Sequence, residues 1–294
     1  MPATKRLAVL KTYKLYIGGK FPRTESGRTM IATDAKTGEH LAHYCYASRK
    51  DLRDAVRAAR SAQSGWAGTT AYLRGQILYR MAEMLESRRA CFITELRQGS
   101  GISEAKATEE VDASIDRLVW FAGWTDKLSQ IYGSVNPVAG SYFNFTTPEP
   151  TGVVGIFAPD SPALLGLVST MASTILTGNT CVILASETSP LPAISLAEAL
   201  ATSDLPGGVV NLLTGKRAEL TSWLAEHMDV NAIIDASGDS KLAAILQAGS
   251  ATNVKRFASH ACAKASDWFG ETGRDPYRIL DTVEFKTAWH PIGV

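Results

Sequence analysis

A short stretch in the middle of the chain places an acidic residue where a catalytic side chain could lie. Residues Gly155–Pro162 read GIFAPDSP, and the apolar helical pattern ALLGLVSTMASTIL follows them. A strand that stops at a proline-flanked polar pair and then turns into a helix is a common way to hold a side chain over a pocket. Asp160 is therefore the first candidate for chemistry.

The four cysteines offer a second kind of chemistry. They stand at positions 45, 91, 181 and 262, without CxxC spacing or the density of a disulfide scaffold, so we expect reduced, mostly buried thiols and no metal site. Cys181 lies in an apolar strand run and is expected to be core. Cys262 is two residues from His260, but spacing alone establishes no group that would activate this thiol as a nucleophile.

Composition limits the classes of function. The chain has 294 residues, of which 45% are hydrophobic and 20% charged, with a formal net charge of +1, as in an ordinary globular protein. This balance gives no field that would favour nucleic acid or an anionic membrane. The N-terminal stretch MPATKRLAVLKTYKLYIGG has only four consecutive apolar residues, so we expect no signal peptide, no membrane span and a cytoplasmic protein.

The first part of the chain is expected to form a short hairpin followed by three long helices. Tyr16–Ile17 and Thr29–Ile31 flank a turn-rich segment and predict the hairpin. Ser48 and Asp51 resemble a capping box at the start of the first helix. Apolar residues at helical spacing predict the other two helices; they are Leu73, Ile77, Met81, Met84 and Leu85, then Val111, Ile115, Leu118 and Val119.

After residue 141 the pattern changes to strands that alternate with helices. Residues 141–157 alternate like strands around the break TPEPTG, and short apolar strands and amphipathic helices then follow in turn up to VKRFA. This order predicts an α/β fold with a doubly wound parallel sheet, whose ligands usually lie beyond the carboxyl ends of the strands. Arg256, a charged residue in the last strand, indicates a sheet edge.

Several segments, in this order, resemble the aldehyde dehydrogenase superfamily over residues 14–264. The segments are KLYIGGKF, AVRAARSAQSGWAG, EEVDASIDRLVWFAG, TPEPTGVVGIFAP, TGNTCVILASETSPLPA, LPGGVVNLLTG and VKRFASH. The resemblance implies the superfamily's cofactor-binding domain. It divides the chain into a hairpin and helical part (1–140), an oligomerisation hairpin (141–151), a Rossmann-like part (152–264) and a C-terminal docking tail (265–294).

The resemblance also implies that the catalytic positions are degenerate. Asp160 takes the place of an Asn whose amide stabilises the oxyanion in the superfamily, and an ionised carboxylate has no proton to donate. Losing one such donor costs roughly 2.7 to 4 kcal/mol of transition-state stabilisation. His260 takes the place of the general-base Glu; it could act as a base near neutral pH or be an ordinary partly buried or surface histidine.

The cofactor contacts that the resemblance implies are altered as well. Leu184 replaces the Lys that binds the adenosine ribose, and Glu187 is kept, either for the cofactor or simply as a cap or solvent-facing group. Gly238 and Ser240 leave some room for a pyrophosphate at a helix start, although Asp239 would compete with it. We expect no cofactor, with NAD as the alternative.

The resemblance implies, further, that the catalytic domain with its nucleophilic Cys is missing, since the chain reaches Val294 soon after His260. Val283, Phe285, Thr287 and Trp289 share one face of a predicted C-terminal strand. This strand could cover its own sheet or join the edge of a partner's sheet.

The layout is similar to the shortened, non-catalytic half of two-part aldehyde dehydrogenases classed as family sixteen. It implies a pseudoenzyme acting as a structural or regulatory subunit of a full-length, NAD-dependent aldehyde dehydrogenase, with a homo-oligomer as the alternative assembly. Two other functions stay open: an oxidoreductase acting on aldehydes that a partner chain completes in trans, and a nucleotide-binding sensor without chemistry.

Overall fold

The fold is built around a parallel β-sheet. The computed structural model describes residues 9–293. Residues 1–8, which belong both to the N-terminal stretch and to the 1–140 segment, lie outside the described part. The strands are β1 Thr12–Tyr13, β2 Thr29–Thr33, β3 His40–Cys45, β4 Ser134–Asn136, β5 Tyr142–Pro150, β6 Val153–Phe157, β7 Thr180–Leu184, β8 Val210–Leu213, β9 Ala232–Asp235, β10 Arg256–Ser259 and β11 Val283–Pro291.

Helices cover both faces of this sheet. They are α1 Arg49–Ala67, α2 Ala71–Glu86, α3 Arg89–Ser100, α4 Glu104–Ala122, α5 Leu128–Tyr132, α6 Leu165–Ile175, α7 Leu191–Leu200, α8 Arg217–Ala225, α9 Ser240–Ala251 and α10 Tyr277–Leu280. Two short 3₁₀ helices, Ala265–Trp268 and Glu271–Arg274, precede α10. No helix among residues 9–293 combines the length and the apolar character needed to cross a membrane.

The central sheet has five parallel strands in the order β10-β9-β6-β7-β8. The chain builds outward from β6 through β7 to β8 and then returns to the other side for β9 and β10. The carboxyl ends of β6 and β9 therefore flank the point where the strand order reverses, which is where open α/β sheets usually bind ligands. Every residue of β6, β7, β8 and β9 is buried, as expected for strands covered on both faces. The doubly wound parallel sheet is confirmed.

Two hydrophobic layers hold the helices to this sheet. On one face α6 and α7 pack together with α2, α3 and α4, and on the other face α1, α8 and α9 pack against the strands. Ser48 caps α1 in a complete capping box with Asp51, as the sequence predicts. Arg256 is exposed on β10, an edge strand, also as predicted.

The N-terminal hairpin prediction is wrong. Tyr16 pairs instead with Leu212 of β8, donating and accepting backbone hydrogen bonds of 3.0 and 2.8 Å, while Thr29–Thr33 pairs with β3. The reason is that Leu15 and Tyr16 are buried against the open edge of β8, which offers more apolar contact than a surface hairpin. The sequence predicts three long helices in this part of the chain. It misses a fourth helix, α3, because the apolar stripe of that helix is short.

Two three-stranded sheets accompany the central sheet, one in the order β1-β3-β2 and the other in the order β11-β5-β4. Residues 141–151, predicted to belong to an oligomerisation hairpin, contribute the strand β5, whose antiparallel partner β4 lies earlier in the chain. β11 runs antiparallel to β5 along nine residue pairs, from Val283 opposite Pro150 to Pro291 opposite Tyr142. The C-terminal strand therefore docks on its own chain in this structure.

Candidate functional site

Asp160 lies in the loop after β6, where its carboxylate is already engaged. Its Oδ1 atom accepts a hydrogen bond of 2.8 Å from the backbone N–H of Glu187 and one of 3.0 Å from the Ser186 hydroxyl. Arg217 approaches the same oxygen at 3.2 Å and forms an ion pair with it. Three donors thus hold the Asp160 side chain against the segment that follows β7.

Arg217 is a site residue that the sequence analysis missed. It begins α8, and its buried guanidinium also donates to the carbonyl oxygens of Ala158, which follows β6, and of Ala185, which follows β7. One side chain therefore ties together the carboxyl ends of two neighbouring strands. A signal was present, because a cation in the first turn of a helix opposes the helix dipole and needs a specific partner.

Glu187 caps α8. Its Oε1 atom accepts a 2.7 Å hydrogen bond from the backbone N–H of Arg217, and its Oε2 atom accepts one of 2.9 Å from the Lys216 ammonium. The capping alternative foreseen for Glu187 is therefore the one observed. Leu184 is buried at the end of β7 in the core against α1 and α8, so no polar group stands at that position.

A cavity of about 490 Å³ opens between α8 and α9, next to this cluster. Ser237, Asp239 and Lys241 line it from the α9 side. Gly238 and Ser240, the predicted cofactor residues, are not among its lining residues. Gly238 is in the left-handed region, with φ of 73°, at the turn before α9.

His260 follows β10 and is buried, so it is neither the partly buried nor the surface residue that was expected. Its Nε2 atom lies 2.7 Å from Oδ2 of Asp281, and its backbone N–H donates to the carbonyl of Asp235. Burial lowers the pKa of His260 below its usual range, in spite of the opposing effect of Asp281. The Nδ1 atom is buried without a hydrogen-bond partner.

Trp268 is buried at the carboxyl edge of the sheet, between the start of α6 and the end of β9. Its side chain is 1% exposed and packs on Leu165, at the start of α6, and on Ala236, directly after β9. It comes from the first 3₁₀ helix of the C-terminal segment. Trp268 thus fills the α6 side of this edge of the sheet, whereas the α8–α9 side is open as the cavity described above.

Arg117 of α4 fastens this segment. Its guanidinium donates to the carbonyl oxygen of Trp268 at 2.7 Å, to that of Gly273, and to the hydroxyl of Ser169 at 2.7 Å. Burial, with smaller contributions from Arg274 and Arg278, lowers the pKa of Arg117 to about 10. A buried cation with three oxygen acceptors holds the segment in a single arrangement.

Comparison with known proteins identifies the fold. The model of the Aldehyde dehydrogenase family matches residues 21–266. The chain belongs to the aldehyde dehydrogenase family.

Relatives of known sequence and structure agree with this membership. The chain is 33% identical over 252 residues to retinal dehydrogenase 2 of Gallus gallus and 30% identical over 260 residues to cytosolic aldehyde dehydrogenase 1 of Elephantulus edwardii. These alignments cover 84% and 87% of this chain, and 48% and 51% of the relatives. The NAD⁺ complex of an aldehyde dehydrogenase from Bacillus cereus superposes with a TM-score of 0.81 at 28% identity, over 85% of this chain and 51% of that one. The chain spans about half the length of the relatives that it matches.

The residues at the aldehyde dehydrogenase cofactor positions do not fit a dinucleotide pyrophosphate. Asp239 is the N-cap of α9, and its Oδ1 atom accepts hydrogen bonds of 2.8 and 3.3 Å from the backbone N–H groups of Lys241 and Leu242. These donors are the ones that a phosphate at a helix N-terminus would use. The buried Leu184 offers no polar contact to a ribose.

The degenerate positions Asp160 and His260 are held by separate sets of partners. The structure does not bring them together in a common hydrogen-bond network. Among residues 9–293 no group of three His, Cys, Asp or Glu side chains is arranged to hold a metal ion.

The thiols follow the prediction only in part. Cys45 and Cys181 are buried, but Cys91 is exposed and Cys262 is half-buried, because they lie on α3 and in the loop after β10 rather than in central strands. The Cys262 sulfur accepts a 3.4 Å hydrogen bond from Arg278, and its thiol donates to the backbone carbonyl of His260 at 3.9 Å rather than to a side-chain base. Activation of this thiol by a side-chain base would require a different acceptor.

Proposed function

We propose that this chain is a non-catalytic member of the aldehyde dehydrogenase family, a pseudoenzyme subunit that associates with a full-length aldehyde dehydrogenase. Its role is structural or regulatory. The observation that carries the proposal is the position of Trp268, which is buried against Leu165 and Ala236 at the carboxyl edge of the sheet and is fastened there by Arg117.

The chemistry of the two degenerate positions supports the same proposal. The Asp160 carboxylate accepts hydrogen bonds from Ser186, Glu187 and Arg217, so it can neither donate to an oxyanion nor move toward one. The imidazole of His260 is buried, and its unpaired Nδ1 atom is out of contact with solvent, so bound water does not reach the nitrogen that could take a proton.

The β4-β5-β11 sheet offers the surface for association. Aromatic and aliphatic side chains that a monomer would normally bury are exposed on it. They are Val135 at 67%, Tyr142 at 45%, Phe143 at 46%, Phe285 at 47% and Trp289 at 60%. Aromatic residues of this kind are enriched at the cores of protein interfaces. The unpaired edge of β11 adds backbone donors and acceptors for a partner's strand.

Association is tested by native mass spectrometry of the protein purified gently from its own cells, with each companion chain identified. We expect a full-length aldehyde dehydrogenase at fixed stoichiometry. In reconstitution with that enzyme, Phe143→Asp should weaken the complex by at least about tenfold, because a charge would be desolvated at the interface. The control Tyr72→Asp places the same charge on the exposed face of α2. Recovery of the protein only as a monomer or homodimer would overturn the proposed association with a full-length aldehyde dehydrogenase.

Catalysis is tested separately on the purified chain. We expect no NADH from aldehydes and NAD⁺, whereas active enzymes commonly turn over about 1 to 10³ times per second. Turnover in that range would refute the pseudoenzyme assignment. In the reconstituted complex, Asp160→Ala and His260→Gln should leave turnover per partner active site unchanged; a loss of turnover at equal complex formation would instead favour catalysis completed in trans.

A further inference from the structure

The N-terminus of α9 carries its own anion. The Asp239 carboxylate accepts from the backbone N–H groups of Lys241 and Leu242 through one oxygen, Oδ1. In the loop that precedes α9, side-chain oxygens likewise accept hydrogen bonds from the backbone N–H groups. Oδ1 of Asp235 accepts from the N–H and the hydroxyl of Ser237 at 2.9 and 2.6 Å, and that hydroxyl accepts from the N–H of Asp239 at 3.2 Å.

These hydrogen bonds use the backbone donors that face the α8–α9 cavity. The amides of Ser237, Asp239, Lys241 and Leu242 all have acceptors within the turn. An anion that entered the cavity would have to break these bonds and would meet the Asp239 carboxylate at the positive end of the helix dipole.

The charged side chains around the cavity give no compensating attraction. Three acidic residues, Asp160, Glu187 and Asp239, and three basic residues, Lys216, Arg217 and Lys241, line it. Two of the basic groups are already paired, Lys216 with Glu187 and Arg217 with Asp160. The cavity therefore has the size of a ligand site without an excess of positive charge for phosphates.

We propose that Asp239 is a specificity-determining residue that excludes dinucleotide phosphates from the α8–α9 cavity. Its carboxylate acts as a built-in substitute for the phosphate, taking the α9 donors and supplying the negative charge that repels a second anion. Removing this one carboxylate opens the helix N-terminus to the pyrophosphate. The inference concerns ligand selection and does not rest on the proposed association with a partner.

Two substitutions distinguish the effect of the Asp239 charge from the effect of its hydrogen bonds to the α9 amides. Asp239→Gly removes the carboxylate and frees both amides, and glycine is tolerated at an N-cap with φ of −91°. Asp239→Asn removes the charge but keeps a side-chain oxygen that can accept from Lys241 and Leu242. The control is Asp126→Asn, on the loop after α4. This variant has the same change in net charge, but its substitution lines a different cavity.

The measurement is isothermal titration calorimetry of the purified chain with NAD⁺, after circular dichroism has verified folding of each variant. The Asp239→Gly variant should bind NAD⁺ at least about tenfold more tightly than wild type. The affinity of the Asp239→Asn variant should lie between these two. The gain should shrink as salt is raised. Binding by wild type that is as tight as that of Asp239→Gly, or no gain in either variant, would overturn the proposal. Neither result depends on whether a partner chain is found.

Discussion

The Asp160 carboxylate and the Arg217 guanidinium form an ion pair of 3.2 Å that joins the loop after β6 to the start of α8. The Arg217 side chain is only 7% exposed, whereas that of Asp160 is 40% exposed. Asp160 is thus the counter-ion of a buried cation. Its role in this chain is to stabilise the carboxyl edge of the sheet.

Replacing Asp160 should therefore cost stability. We expect Asp160→Ala to lower the free energy of unfolding by about 2 kcal/mol, because Arg217 loses its counter-ion and Ser186 its acceptor; the partial exposure of Asp160 keeps the loss below that of a fully buried pair. Asp160→Asn retains an oxygen acceptor and should cost about 1 kcal/mol. Urea unfolding measures both, with Asp126→Ala as the surface control. A loss no greater than that of the control would contradict this role.

Trp268 should be a major contributor to stability. We expect Trp268→Ala to lower the free energy of unfolding by about 3 to 5 kcal/mol, because it leaves a cavity against Leu165 and Ala236. Trp223→Ala, at a half-exposed position on α8, is the matched control and should cost far less. Equal losses in the two variants, measured by chemical denaturation, would show that Trp268 is not packed as described.

His260 should make the fold sensitive to acid. Its pKa is lowered by folding, so between the lowered value and the ordinary 6.5 the unfolded chain binds a proton that the folded chain does not. The free energy of unfolding should consequently fall as the pH decreases below about 6.5, by up to about 1.4 kcal/mol per pH unit from this group. Comparison with His260→Gln over pH 5–8 isolates the effect. Parallel stability curves for the two proteins would count against it.

Glu110 of α4 should support the start of α6. Its Oε1 atom accepts from the N–H groups of Leu164 and Leu165 at 2.8 and 3.3 Å, and burial raises the pKa of this carboxyl. Glu110→Ala should cost about 1 to 2 kcal/mol through loss of these bonds. Thermal unfolding of Glu109→Ala, an exposed neighbour on the same helix, gives the baseline.

Because burial raises the pKa of Glu110, a neutral side chain of the same shape should not lower the free energy of unfolding at pH 7. A carboxyl with a raised pKa contributes stability at low pH that is lost as the pH rises past its ordinary value. Glu110→Gln keeps an oxygen acceptor without a charge to bury, so at pH 7 it should be as stable as wild type or more so. A marked destabilisation by Gln would mean that the carboxylate charge itself is needed.

Local patterns in the sequence were sufficient for the central architecture. The alternation of apolar strands with amphipathic helices after residue 141 predicts the parallel sheet, since each strand must be covered on both faces and each parallel return needs a crossover. The Ser48–Asp51 capping box is likewise a contact within one turn. The ordered segments between residues 14 and 264 were enough to indicate aldehyde dehydrogenase ancestry.

The roles of the site residues depended on contacts between distant parts of the chain. Asp160 and Arg217 are 57 positions apart, and Arg117 and Trp268 are 151 apart. No periodicity links such positions, because the packing of helices on the sheet decides which side chains meet. The sequence by itself determined the fold class. Only the tertiary structure decided that Asp160 is a counter-ion and that Trp268 is buried against α6 and the end of β9, since burial and pairing are properties of the packed chain.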